Sequence, residues 1–152
     1  MSDDEVILIH ATAVAIGGRA VLLRGPSGSG KSDLALRLID AGAGLVADDY
    51  SQLRREGDAI VVRAPASISG MIEARGVGIL KVEPLAAAPL ALIADLVAAQ
   101  HVERLPEPSS ETIFGLAIPV VAIAPFEASA PAKLRFALAA LAGGGTEPAP
   151  GS

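Results

Sequence analysis

Eight consecutive residues, Gly25-Pro26-Ser27-Gly28-Ser29-Gly30-Lys31-Ser32, satisfy the pattern G-x-x-x-x-G-K-[ST] at every fixed position. Glycines at 25, 28 and 30 let the backbone come close to an anion where a Cβ would stand in the way. The N–H groups of such a loop and of the helix that follows converge on one point, so phosphate is its natural occupant. Lys31 can reach the β and γ phosphates of a nucleotide, and the Ser32 hydroxyl can ligate a metal, so the motif points to ATP and Mg²⁺. Farther along, Asp48 and Asp49 form a carboxylate pair. In phosphoryl transfer one carboxylate can hold the metal while another takes the proton of an incoming hydroxyl, and either aspartate suits either role. A phosphate loop alone does not say whether the γ-phosphate goes to water, to a small molecule or to a protein.

These residues need a scaffold. Two β runs, Val6–Ala15 and Arg19–Arg24, are expected to form a hairpin about Gly17-Gly18, and the second delivers the chain into the loop. Lys31 to Ala41 reads as a helix that Gly42 ends, and Gly44–Ala47 as a short strand with the two aspartates at its tip. In open α/β folds that C-terminal edge of the sheet is where ligands bind. A second hairpin is expected from Ser51–Arg55 and Ala59–Arg63 about Gly57-Asp58, and irregular chain through Pro65–Gly78. Leu90–Val97 is apolar enough for a strand or a helix, and strand is the reading taken. After a Pro-rich loop at Leu105–Ser110, a strand at Leu116–Ile123 and a last helix beginning after Ser129 complete the pattern, with Gly143-Gly144-Gly145 as its stop. Residues 1–142 thus read as a single domain and 143–152 as a disordered tail.

Composition narrows the function classes. The chain has 152 residues, of which 51% are hydrophobic and 19% charged, enough to build a packed core. Its net charge of -5 and aromatic content of 3% speak against a nucleic-acid partner. No apolar run approaches a membrane span, and the acidic start Met1-Ser2-Asp3-Asp4-Glu5 is unlike a secretory signal, so a cytoplasmic location is expected. The lack of cysteine removes disulfides, thiolate metal sites and thiol nucleophiles.

Three successive segments, Gly25 to Asp33, Leu45-Val-Ala-Asp-Asp49 and Gly70-Met-Ile-Glu-Ala-Arg-Gly-Val-Gly-Ile79, resemble the signatures of bacterial HPr kinase/phosphorylase. The third discriminates most, because an E-x-R-G-x-G-I segment is far rarer than a phosphate loop. The resemblance is good from Leu8 to about Val82 and weakens beyond. It implies an α/β phosphate-loop domain with a mixed sheet, an N-terminal hairpin and few helices. It further implies Mg²⁺-dependent phosphorylation by ATP of a serine on HPr, the phosphocarrier of the sugar phosphotransferase system. Members are commonly hexameric, and the chain resembles the short forms that lack an N-terminal domain.

Carried over by the same resemblance, Lys31 binds phosphate, Ser32 binds metal, and Asp48 and Asp49 share metal binding and the base role. Glu73 lies by the metal or nucleotide, Arg75 stabilises charge during transfer, and His10 falls where the family has a histidine near its site. A lone histidine at a strand end also has an ordinary structural reading. The C-terminal third departs from the pattern. Where full-length members carry an Arg-rich P-x-R-P-G-R-N-like segment, this chain reads Ile118-Pro-Val-Val-Ala-Ile-Ala-Pro-Phe-Glu127, so kinase activity without the phosphorylase half is the expectation. The competing readings are a phosphate-loop kinase for a small molecule and a nucleotide-binding regulatory protein that transfers nothing.

Overall fold

The computed structural model describes residues 5–142. Eleven strands and two α-helices follow in the order β1 (Val6–Ile9), β2 (Ala11–Ile16), β3 (Arg19–Arg24), α1 (Lys31–Asp40), β4 (Gly44–Ala47), β5 (Ser51–Glu56), β6 (Ala59–Arg63), β7 (Met71–Ala74), β8 (Gly78–Lys81), β9 (Ala88–Leu96), β10 (Ser109–Ile113), β11 (Leu116–Ile123) and α2 (Ala130–Ala142). Nine strands make one mixed sheet in the order β1-β5-β6-β9-β3-β2-β4, with β11 pairing along the later part of β9 and β10 along β11. The remaining two, β7 and β8, form a separate ribbon.

The centre of the sheet is apolar on both faces because both are covered. Side chains of neighbouring strand residues point to opposite sides, so β3 sends Val21 and Leu23 one way and Ala20 and Leu22 the other. Val21 and Leu23 join Leu34 and Leu38 of α1 and Leu134 and Leu138 of α2. Leu22 joins Ile93 of β9 and Leu53, Ile60 and Val62 of the β5–β6 hairpin, which the curl of the sheet folds over that face. The helix α1 ends as its sequence directs: the Ala43 amide bonds to the Leu38 carbonyl and the Gly42 amide to that of Ile39, with Gly42 at φ 112°.

Both expected hairpins form, and Leu90–Val97 lies largely within the nine-residue strand β9. Three readings need correction. The first β run is not continuous from Val6, because the chain bends at His10 and leaves the short edge strand β1, paired with β5, before β2 begins. The segment Pro65–Gly78 is not wholly irregular: the ribbon β7–β8 starts inside it, and glycines that read as breakers are its turn residues. The loop before β11 is shorter than expected, since β10 starts at Ser109. Pro119 sits within β11 opposite Ser110 of β10, one residue before the stretch that pairs with β9. The last helix begins just after Ser129, whose carbonyl takes the Lys133 amide, and Pro131 lies in its first turn. The expected Gly143–Gly145 stop and the tail lie outside the described residues.

Candidate active site

The direction of three neighbouring strands brings the chemistry together. β3 runs into the phosphate loop, β2 lies antiparallel beside it, and β4 lies antiparallel on the far side of β2. The C-terminal ends of β3 and β4 and the N-terminal end of β2 therefore share one edge of the sheet. Ala11 pairs with Arg24 and Ala13 with Ala47, so His10 and Thr12 reach the edge that carries Gly25, Asp48 and Asp49.

The loop from Gly25 to Gly30 is closely built. A Cβ on Gly25 would stand 2.4 Å from the Ser29 hydroxyl oxygen, which is buried under the loop. Gly30 has φ 102°, a region that costs residues with a Cβ, and that atom would lie 2.9 Å from the ring of Phe126. Lys31 is buried, and its Nζ donates to the carbonyls of Gly25 (2.7 Å) and Pro26 (3.1 Å). An ammonium has three donors, so one is left to meet a phosphate at the loop.

Asp48 and Asp49 differ sharply. Asp48 is 7% exposed, and its Oδ1 accepts from the hydroxyls of Ser32 (2.6 Å) and Thr12 (3.0 Å) while its Oδ2 accepts from the Glu73 amide (3.2 Å). Asp49 turns outward with its side chain 58% exposed, and its Oδ1 shares a 2.7 Å hydrogen bond with His10 Nε2. The imidazole in turn stacks on Tyr50 at a centroid distance of 5.0 Å. Strand alternation alone does not account for the divergence. Both residues follow β4, and Asp49 adopts φ 71°, which swings its side chain away from that of Asp48.

A cleft of about 550 Å³ joins these groups. The phosphate loop, Ser32, Asp48 and Asp49 line one part, Glu73 and Arg75 of the β7–β8 ribbon another, and Val77 and Phe126 the mouth. Every site residue expected from the sequence lies in or beside this cleft except Gly25, Pro26 and Ser29, which build the loop from behind, and His10, which reaches it through Asp49. Glu73 approaches Asp48 with its backbone amide, its own side chain being exposed. Lys31 and Arg75 are the cations among the lining residues.

The donors around Asp48 bear on whether a metal fits. Ser32 and Asp48 offer oxygens only, a set that suits a hard cation such as Mg²⁺. Among the described residues no group of three His, Cys, Asp or Glu side chains forms a metal cage. Mg²⁺ does not require one, since it keeps several waters and is held through one or two carboxylates plus substrate phosphates.

The sequence profile of the HPr Serine kinase C-terminal domain matches residues 4–129. The chain belongs to that family. The HPr kinase/phosphorylase of Leptothrix cholodnii is 39% identical over 128 residues, covering 76% of this chain and 39% of the relative. That of Peptoclostridium acidaminophilum is 47% identical over 78 residues, covering 51% of this chain and 25% of the relative. The chain therefore spans well under half the length of the curated relatives it matches. Among solved structures, the Hpr(Ser) kinase/phosphatase from Coxiella burnetii superposes with a TM-score of 0.79 at 26% identity, over 90% of this chain and 93% of that one. The mixed, curled sheet with two helices is thus the fold of an HPr kinase C-terminal domain.

Two features of this candidate site escaped the motifs. Thr12, the one hydroxyl in the buried strand Ala11–Ile16, contacts both aspartates, and its polarity in an apolar run was the available signal. Arg24 closes β3 immediately before the loop. Its Nε and Nη2 donate to the two oxygens of Asp95 (2.7 and 3.0 Å), and its Nη1 lies 2.9 and 3.0 Å from those of Glu111. The hydrogen bonds to Asp95 raise the Arg24 pKa above the ordinary guanidinium range, against the effect of burial, and Glu111 adds to the rise. The cluster ties β3, β9 and β10 together at the root of the phosphate loop.

Proposed function

We propose that the chain transfers the γ-phosphoryl group of ATP, with Mg²⁺, to a serine hydroxyl of HPr. The observation that carries this reading is the meeting of Lys31, Ser32, Asp48 and Asp49 in one cleft, in a chain of the HPr kinase family. The backbone of the phosphate loop and Lys31 hold the β and γ phosphates. Ser32 and Asp48 hold Mg²⁺, with Glu73 nearby, and the bound ion supplies charge neutralisation at the phosphate oxygens. Asp48 suits that role because it is buried and faces Ser32.

Asp49, exposed to the cleft and oriented by His10, accepts the proton of the seryl hydroxyl. The seryl oxygen then forms its bond to the γ phosphorus as the bond from phosphorus to the ADP oxygen breaks, so phosphoserine and ADP are the products. Arg75, carried into the cleft by the β7–β8 ribbon, places a planar cation near the oxygens of the group in transit.

Phosphorolysis, in which inorganic phosphate would take the phosphoryl group from the serine and leave as pyrophosphate, is not assigned to this chain. The segment between β11 and α2, which borders the cleft, presents Phe126 there, and no arginine occurs between Arg104 and Arg135. Cytoplasmic location and homo-oligomerisation, as a hexamer by family resemblance, complete the reading. Among the described residues no helix is long and apolar enough to cross a membrane.

The test is incubation with ATP, Mg²⁺ and purified HPr, followed by mass spectrometry of HPr. Phosphate on a serine, stable where phosphohistidine hydrolyses, is the expected result. Bound ATP without transfer to HPr favours a regulatory nucleotide-binding protein, and transfer to a small hydroxylated acceptor in its place favours a small-molecule kinase.

A further inference from the structure

Thr12 stands apart in β2, a strand otherwise made of Ala, Val and Ile, because its hydroxyl is wholly enclosed, at 0% exposure, and still fully used. It donates to Oδ1 of Asp48 at 3.0 Å and accepts the backbone N–H of Asp49 at 3.0 Å. A hydroxyl has one proton to give and lone pairs to receive, so a single oxygen can serve both partners at once.

The consequence is geometric. The bond to Asp48 fixes its carboxylate, and the bond to the Asp49 amide fixes the peptide that joins the two residues. That peptide leads into Asp49 at φ 71°, a conformation that costs a residue with a Cβ on the order of 1–2 kcal/mol and persists only where its surroundings hold it. One buried oxygen thus bridges the inward-facing and the outward-facing residue, beside the Tyr50 amide, whose 2.8 Å bond to the Asp48 carbonyl closes the turn at Asp49. Ser32 also bonds to Asp48, but its hydroxyl has a metal to serve in the proposed reaction, whereas Thr12 has no second task.

We propose that Thr12 is a positioning residue for the aspartate pair, holding Asp48 and Asp49 in their divergent orientations without touching substrate. The proposal rests on the kinase reading above, and its test separates the two. Thr12→Val keeps the shape and removes both hydrogen bonds; Thr12→Ser keeps both bonds. Thr12→Ala serves as a second deletion should the valine variant not fold.

Two measurements are made on each variant. In HPr phosphorylation, Thr12→Val lowers kcat about 10- to 100-fold, with the KM for ATP within about threefold, and Thr12→Ser recovers kcat to within about threefold of the parent. In amide hydrogen exchange of the nucleotide-free protein, the Asp49 N–H exchanges at least about tenfold faster in Thr12→Val, while Leu22 in the core is unchanged. A Thr12→Val protein that matches the parent in both measurements overturns the proposal. If the parent itself phosphorylates no HPr, the kinase reading fails, and the Asp49 exchange rate still decides whether Thr12 holds the pair.

Discussion

His10 Nε2 lies 2.7 Å from Asp49 Oδ1, although the histidine precedes the second strand and the aspartate follows the fourth. The contact exists because β2 runs antiparallel between β3 and β4, which sets its start against their ends. An exposed aspartate with an imidazole at its side differs chemically from its buried neighbour, and the first prediction follows from that difference.

Asp49→Asn should leave nucleotide affinity within about threefold and lower kcat by about 10² to 10⁴, the range that general-base catalysis contributes. Asp48→Asn should act through the metal, raising the Mg²⁺ concentration needed for half-maximal rate. Steady-state kinetics over ATP and Mg²⁺ concentrations separate the two, and equal effects of both substitutions on every parameter would contradict the division of roles.

Lys31→Met should remain folded while losing transfer by more than about 100-fold, since it removes the cation at the phosphates. The carbonyls of Gly25 and Pro26 lose their partner in that variant, so the loop loosens and nucleotide affinity falls as well. Titration calorimetry with ATP and a thermal melt report the two effects.

Arg24→Met leaves Asp95 and Glu111 facing each other without their cation, and should destabilise the fold by about 1–3 kcal/mol, reduced from the buried case because both carboxylates are partly exposed. The pKa of Arg24 is raised in the folded state, so its contribution is present below the ordinary guanidinium value wherever Asp95 and Glu111 are ionised, and on the alkaline side it fades only as pH climbs through the raised value. The loss measured by urea denaturation should therefore be the same at about pH 7 and pH 9.

Leu38→Ala tests the packing that anchors the loop's helix. Leu38 is fully buried among residues of α1, the sheet and α2, and its truncation should cost about 2–5 kcal/mol in urea denaturation.

Much of the site was legible because its parts are local. The phosphate loop and its helix are contiguous, and the aspartates end the next strand, so spacing alone placed them at one edge. The ribbon of Met71–Ala74 and Gly78–Lys81 was harder to see, because two four-residue strands around Gly76 give almost no period to read. Its role also depends on packing: it meets the main site where the Glu73 amide reaches Asp48. Thr12 and Arg24 were hidden for a different reason. A single threonine and a single arginine have many ordinary uses, and only the strand registers bring one to both aspartates and the other to Asp95 and Glu111. The bend at His10 was likewise invisible, since Val6 to Ala15 is apolar enough to read as one strand.

If the phosphate loop and the two aspartates surround one phosphoryl group, a crystal structure with Mg²⁺ and a non-hydrolysable ATP analogue will show it. The expected result is the metal at about 2.0–2.1 Å from Ser32 Oγ and an Asp48 oxygen, with the γ-phosphate between Lys31 and Asp49. A γ-phosphate bound away from both Asp48 and Asp49 would contradict it.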